Sequence, residues 1–126
     1  MTKVLDQISD AKSKGAQVVT GGKAPKDLKG FFMEPTILTN VTEDMVVSKE
    51  ETFGPLAPLI KFSSDEQVIN MANNTEFGLA GYFFSNNFNR VWRVAAAMEC
   101  GMIGVNTGKI SAPESPFGGV SLFSVD

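Results

Sequence analysis

The chain has 126 residues, 43% of them hydrophobic, 20% charged and 10% aromatic, with 12 Gly and 6 Pro; this is one globular domain's worth of material and excludes disordered, collagen-like and low-complexity classes. Eleven Lys and Arg against 14 Asp and Glu leave a net charge of −3, so there is no basic field to condense on a phosphate backbone, and nucleic acid is excluded as a partner. With no His and the single Cys100, a disulfide framework, a Cys/His zinc cage and a His-dependent triad are excluded within the chain, and no metal site is expected.

In chain order, residues 4–14 place Val4, Leu5, Ile8 and Ala11 on one helical face, with Lys12 and Lys14 near the negative end and Gly15 where a C-terminal cap belongs. Gln17–Thr20 reads as a strand stopped by Gly21-Gly22, followed by a polar loop to Gly30 and a second strand over Pro35–Leu38. From Leu56 the pattern becomes regular. An apolar strand is predicted over Leu56–Phe62, then a helix opened by a capping box of Ser64 and Gln67, with Val68, Ile69 and Ala72 as its buried stripe. A strand over residues 79–84 follows, then a helix capped by Asn86 or Asn87 and striped by Val91, Val94, Ala95 and Met98. Residues 102–106 make the next strand. This β-α-β-α-β order over 56–106 predicts an α/β fold, a mostly parallel sheet with flanking helices. The opening residues lack a signal peptide or presequence and no stretch nears the ~18 apolar residues of a membrane span, so the expectation is a soluble intracellular protein, mitochondrial or cytoplasmic, with no membrane partner.

Gly104 to Ile110 fails as a phosphate loop, because only three residues separate Gly104 from Gly108 and Ile110 stands where a hydroxyl would hold magnesium. No dinucleotide glycine fingerprint follows any predicted strand. Cys100 sits beside Glu99 at a predicted helix C-terminus, two influences that raise a thiol pKa, and no His is available to pair with it; it reads as structural. Glu50-Glu51-Thr52-Phe53-Gly54-Pro55 has two readings. One is a rigid loop offering a carboxylate to a polyol such as ribose and a ring to a planar heterocycle; the other is a tight turn with solvated acids and a core Phe. Pro116-Phe117-Gly118-Gly119 is likewise either a turn or, with Ser111 upstream, part of a pocket wall.

Gly15–Gly22, Phe32–Thr36, Glu50–Pro55, Val105-Asn106 and Ser115–Gly119 occur in the order seen in the aldehyde dehydrogenase superfamily, which the chain resembles from about Val4 to Val120. Phe77–Phe83 with Trp92–Ala95 is most similar to the succinate-semialdehyde dehydrogenase branch, which serves GABA degradation. The resemblance implies a tetrameric or dimeric oxidoreductase that uses NAD or NADP to convert a small aldehyde, succinate semialdehyde, to an acid through a thiohemiacetal, hydride transfer and a thioester. By position, Glu51 matches the residue that holds the nicotinamide-side ribose hydroxyls and Phe53 the ring beside the nicotinamide. Ser111 matches the hydroxyl that binds the substrate's distal carboxylate, and Phe117 a ring lining the aldehyde tunnel. The family's nucleophilic Cys, general-base Glu, oxyanion Asn and Rossmann domain all precede the region represented here, and Cys100 matches none of them, so no catalytic residue is assigned. The implied organisation is a partial catalytic domain, its C-terminal part, over 1–120, with a divergent tail over 121–126. Such a fragment or truncated paralogue is expected to be inactive alone and to hold no cofactor tightly. The alternative is a non-catalytic module that associates with a full-length dehydrogenase subunit through unfilled sheet edges.

Overall fold

Why the first helix stops where it does is plain from its end. In the computed structural model, which describes residues 1–121, α1 spans Thr2–Ser13. Gly15, at φ +101°, adopts the left-handed conformation that a Cβ disfavours. Its N–H donates to the Lys12 carbonyl and the Ala16 N–H to the Ala11 carbonyl, the paired bonds of a glycine-terminated helix. The chain divides into two compact units, Met1–Lys61 and Phe62–Asp126.

In the first unit, β1 (Gln17–Thr20), β2 (Thr36–Thr39) and β3 (Leu56–Pro58) form one sheet in that order. β1 runs antiparallel to β2, with a bulge between Val18 and Thr20, and β3 runs parallel to β2. The buried side chains Val4, Ile8, Ala11, Ala16, Leu38, Val41, Met45 and Val47 make one core. Inside α1 the buried set is Val4, Gln7, Ile8 and Ala11; Leu5, expected in the stripe, is half-buried, and Gln7 is buried instead. Thr36 is also buried, and its Oγ1 accepts from Gly22 N–H and donates to the Glu34 carbonyl, both at 2.8 Å. The one-turn helix α2 (Val46–Lys49) was not visible in the sequence, because Met45 at its N-cap has no capping oxygen. The Asp10 carboxylate of α1 supplies it instead, accepting from Val46 N–H at 2.8 Å, and pairs with Lys14 at 2.9 Å.

The strand predicted over Leu56–Phe62 ends at Pro58. Pro55 carbonyl and Leu59 N–H bond to β2, so the odd positions face it and Pro58, which has no N–H to give, falls on the side away from β2, as prolines do on strand edges.

The second unit contains α3 (Asp65–Asn73), β4 (Phe77–Gly78), β5 (Ala80–Phe83), α4 (Phe88–Ala97), β6 (Met102–Val105) and β7 (Val120–Ser121). Ser64 caps α3 by accepting from Gln67 N–H at 3.1 Å, while Gln67 Oε1 reaches back to Ser63 N–H at 2.9 Å, so the capping box is offset by one residue. Asn87 caps α4, accepting from Arg90 N–H at 2.9 Å. Between the helices, Asp65 is gripped by Arg90 and Arg93, and Asn73 donates to the Ala97 carbonyl and accepts from Glu99 N–H. The stripe expected on α3 is only partly covered: Val68 and Ile69 are half-buried and Ala72 is exposed.

The fold is α/β, but the pairing departs from one mostly parallel sheet. Three small sheets occur among the described residues, with β2–β3 and β5–β6 parallel and β1–β2 and β4–β7 antiparallel. β5 and β6 are parallel because α4 carries the chain back across; β1 and β2 are joined by a loop with no crossover helix and so pair antiparallel. The tail expected at 121–126 lies, from residue 122 onward, outside the described residues.

Candidate functional site

Glu51 and Phe53 belong to the first unit, on the loop between α2 and β3. Glu51 is exposed, and its carboxylate has no hydrogen-bond or ion-pair partner among the described residues. Phe53 is 88% exposed, which removes the core-Phe reading of this turn. Its ring borders a cavity of about 340 Å³ with Phe31, Phe32, Met33 and Pro55, an aromatic and thioether wall suited to a planar ring. Thr52, between them, is half-buried and donates from Oγ1 to Gln7 Oε1 at 2.9 Å. Glu51 does not line that cavity.

Ser111 and Phe117 belong to the second unit, on the segment between β6 and β7. Both are exposed, and Ser111 has no hydrogen-bond partner among the described residues. The segment is seated by small residues: Gly118 and Gly119 backbone lies directly on Gly101, where a Cβ would collide with them, and Val120 lies on Gly78. A cavity of about 400 Å³ is lined by Met102, Ile103, Lys109, Ile110, Ser115 and Pro116 among others. Ser111 and Phe117 flank this lining in sequence but are not part of it, so the unit does not gather the two into one pocket. β6 ends at Val105, and the next residue, Asn106, holds φ +54° and uses its amide to imitate a strand, accepting from Ser85 N–H and donating to the Ser85 carbonyl at 2.9 and 3.0 Å.

Cys100 is half-buried, and burial pushes its thiol pKa up. The direction agrees with the sequence reading but the cause does not: α4 ends at Ala97, so desolvation acts rather than a helix terminus. Two residues that matter to the loops were missed. Gln7 announces itself only as a polar residue three positions from Val4 on an apolar face, and Asn106 only as an Asn before Thr107-Gly108 at a strand end. Among the described residues, no group of three or more Cys, Asp or Glu side chains is placed to hold a metal ion, and no helix is long and apolar enough to cross a membrane.

The aldehyde dehydrogenase family model matches residues 1–122. The chain is 58% identical over 118 residues to the mitochondrial succinate-semialdehyde dehydrogenase of Homo sapiens, covering 94% of this chain and 22% of that protein. It is 55% identical over 120 residues to the glutarate-semialdehyde dehydrogenase of Pseudomonas aeruginosa, covering 95% and 25%. The crystal structure of succinate-semialdehyde dehydrogenase from Burkholderia pseudomallei superposes with a TM-score of 0.92 at 57% identity, again over 95% of this chain and 25% of that one. The chain thus spans about a quarter of the length of the curated relatives it matches.

Proposed function

Because this chain belongs to the aldehyde dehydrogenase family, we propose that residues 1–120 are the C-terminal part of the catalytic domain of a semialdehyde dehydrogenase, and that they supply the rims of its cofactor and substrate sites. The observation that carries this reading is the α2–β3 loop, which turns an unpartnered carboxylate and an exposed ring outward beside an aromatic-walled cavity. These residues fit a nicotinamide dinucleotide: Glu51 would accept from ribose hydroxyls, and Phe53 would pack beside a planar heterocycle. When bound, NAD or NADP supplies the hydride acceptor for oxidation of the aldehyde to the acid. On the substrate side, Ser111 would donate to a distal carboxylate and Phe117 would line the aldehyde's approach. The substrate class is a short aldehyde bearing a second, carboxylate end, succinate semialdehyde first, as in GABA degradation.

The thiolate and base that the covalent chemistry requires are assigned to no residue of this chain. Cys100 has neither a lowered pKa nor a His beside it. The 126-residue chain alone is therefore expected to give no aldehyde-dependent reduction of NAD or NADP. The test uses Val4 to Val120 grafted into a complete homologous dehydrogenase. Glu51→Gln replaces a carboxylate that accepts from two hydroxyls with an amide offering one acceptor oxygen, so hydride transfer slows more than cofactor binding weakens. Unchanged single-turnover kinetics would reduce Glu51 to a turn residue.

A second reading is favoured by the exposed rings Phe84, Phe88 and Trp92 in the second unit: a non-catalytic partner that docks on a complete dehydrogenase subunit. Size-exclusion chromatography of the chain with and without such a subunit separates the two. A monodisperse, cooperatively melting monomer that captures the subunit supports the partner, and self-association without capture supports the fragment.

A further inference from the structure

One face of α1 holds the Glu51–Phe53 loop at every second position. Lys3 Nζ pairs with Glu50 Oε2 at 3.4 Å, Thr52 Oγ1 donates to Gln7 Oε1 at 2.9 Å, and Gly54 lies so close to α1 that a Cβ there would come within 2.8 Å of Val4 Cγ2. Positions 50, 52 and 54 are the anchored set. Glu51 and Phe53, the set between them, both face outward. The three anchors differ in kind. The Lys3–Glu50 pair is solvent-exposed on both sides, where ion pairs constrain little. The Val4–Gly54 approach is non-directional packing. Only the Gln7–Thr52 bond is directional and runs from a side chain sealed inside the unit, for Gln7 is 1% exposed. Its Nε2 is buried without a partner, so as a core filler Gln7 is inferior to an apolar side chain of the same shape. What it adds is the bond to Thr52.

We propose that Gln7 is a positioning residue for the cofactor-side loop: by drawing Thr52 inward it fixes the phase of residues 50–54, so that Glu51 and Phe53 emerge together. In an extended segment neighbouring side chains point to opposite sides, and a one-residue slip exchanges the inward and outward sets. Without the bond, α1 holds the loop only through an exposed ion pair and packing, and the backbone bonds lie at the loop's two ends, Glu50 N–H to the Val46 carbonyl and Thr36 N–H to the Pro55 carbonyl. What the outward pair then meets rests on the reading of Glu51 and Phe53 given above.

Two measurements separate the positioning role from that reading. In hydrogen exchange followed by mass spectrometry, on the intact 126-residue chain and on the same segment in the grafted dehydrogenase, Thr52→Val and Gln7→Met should each speed exchange of the peptide spanning residues 50–56 by about tenfold, with α1 peptides unchanged. Thr52→Ser, which restores the hydroxyl, should keep the original protection, and the double variant should be no faster than either single one. Unchanged exchange in Thr52→Val, or a Ser variant as fast as the Val variant, overturns the proposal. If Gln7→Met unfolds the unit, the Thr52 variants, which leave the core intact, decide. In the grafted enzyme Thr52→Val should lower kcat by about tenfold while the Kd for NAD moves less than about twofold. A loosened loop with unchanged hydride transfer would leave the positioning role standing and remove the cofactor reading.

Discussion

The first unit packs eight apolar side chains into a core of its own, from Val4 to Val47, whereas in the second only Val94 is an apolar side chain buried to that degree among the described residues. The second unit is organised by other means: strand pairing in β4–β7 and β5–β6, caps at Ser64 and Asn87, and the polar clasp of Asp65 with Arg90 and Arg93. Hydrogen bonds and surface ion pairs direct geometry but contribute modest net free energy, while buried apolar area supplies most of the driving force. The two halves therefore share a fold class yet differ in what holds them. A loop borne by the first inherits a rigid base, and the second leaves its aromatic rings in need of cover.

The largest effect that would break this contrast lies in the cores. Leu38 is fully buried, and Leu38→Ala is expected to cost about 2–5 kcal/mol in urea unfolding followed by far-UV circular dichroism. Val94→Ala should cost less than about 2 kcal/mol, the worth of two methyl groups. Equal losses would show that the second unit has a core as effective as the first.

The functional side of the contrast is sharpened by Ser111→Ala in the grafted dehydrogenase. Losing a hydrogen bond to a charged carboxylate, worth roughly 1.5–3 kcal/mol, should lower kcat/KM for succinate semialdehyde by about 10- to 150-fold. An uncharged aldehyde of similar length should be nearly unaffected, whereas the loop variants of the first unit should slow both substrates alike. Equal losses for both aldehydes in Ser111→Ala would remove the carboxylate-reading role.

The smallest effect concerns acid. Asp10, in the first unit, has its carboxyl held below the usual 3.8, chiefly by the Val46 backbone N–H and then by Lys14. Asp65, in the second, is lowered from the same value chiefly by its bond to Arg90. A carboxyl whose pKa is lower folded than unfolded contributes its stabilisation in full above the unfolded value; the contribution is lost as pH falls through the folded one. Both clasps should thus contribute in full above about pH 4 and lose that contribution progressively below it, as pH falls through their lowered values. Carboxylate titration by NMR should show the Asp65 pKa moving toward 3.8 when salt is raised to about 0.5 M, and that of Asp10 moving less, because salt screens guanidinium charges more than it disturbs a bonded backbone N–H. A larger salt shift at Asp10 would reverse the assignment of causes.

Much of the scaffold was legible. α1, α3 and α4 follow from apolar spacing closed by Gly15 and opened by Ser64 and Asn87, and β1, β2, β5 and β6 from short apolar runs between turn residues. What escaped depends on partners distant in the chain. α2 has its cap delivered by Asp10 from another helix, and β4 and β7 are two residues each, defined only by pairing with one another. Strand direction was legible where a helix carries the chain back, in the parallel β5–β6 pair, and escaped in the antiparallel β1–β2 and β4–β7 pairs, because periodicity reports which residues face a core and not which neighbour a strand chooses. In the candidate site, the outward placement of Phe53 was one of two readings of a Gly-Pro turn, and the structure separates them. The support beneath the loop was illegible, since Gln7 is in sequence only a polar residue interrupting the apolar face of α1 and becomes meaningful only when Thr52 arrives against it.

The edge-to-face pair of Phe88 and Trp92, with ring centroids 6.2 Å apart, has a consequence for anyone observing this molecule with light. The chain has one Trp and one Tyr, and both Trp92 and Tyr82 fall in the second unit. Intrinsic fluorescence is accordingly an account of that half alone: opening of the Val4–Val47 core would pass unseen, while any body that shields the open face of Trp92 would shift its emission toward the blue.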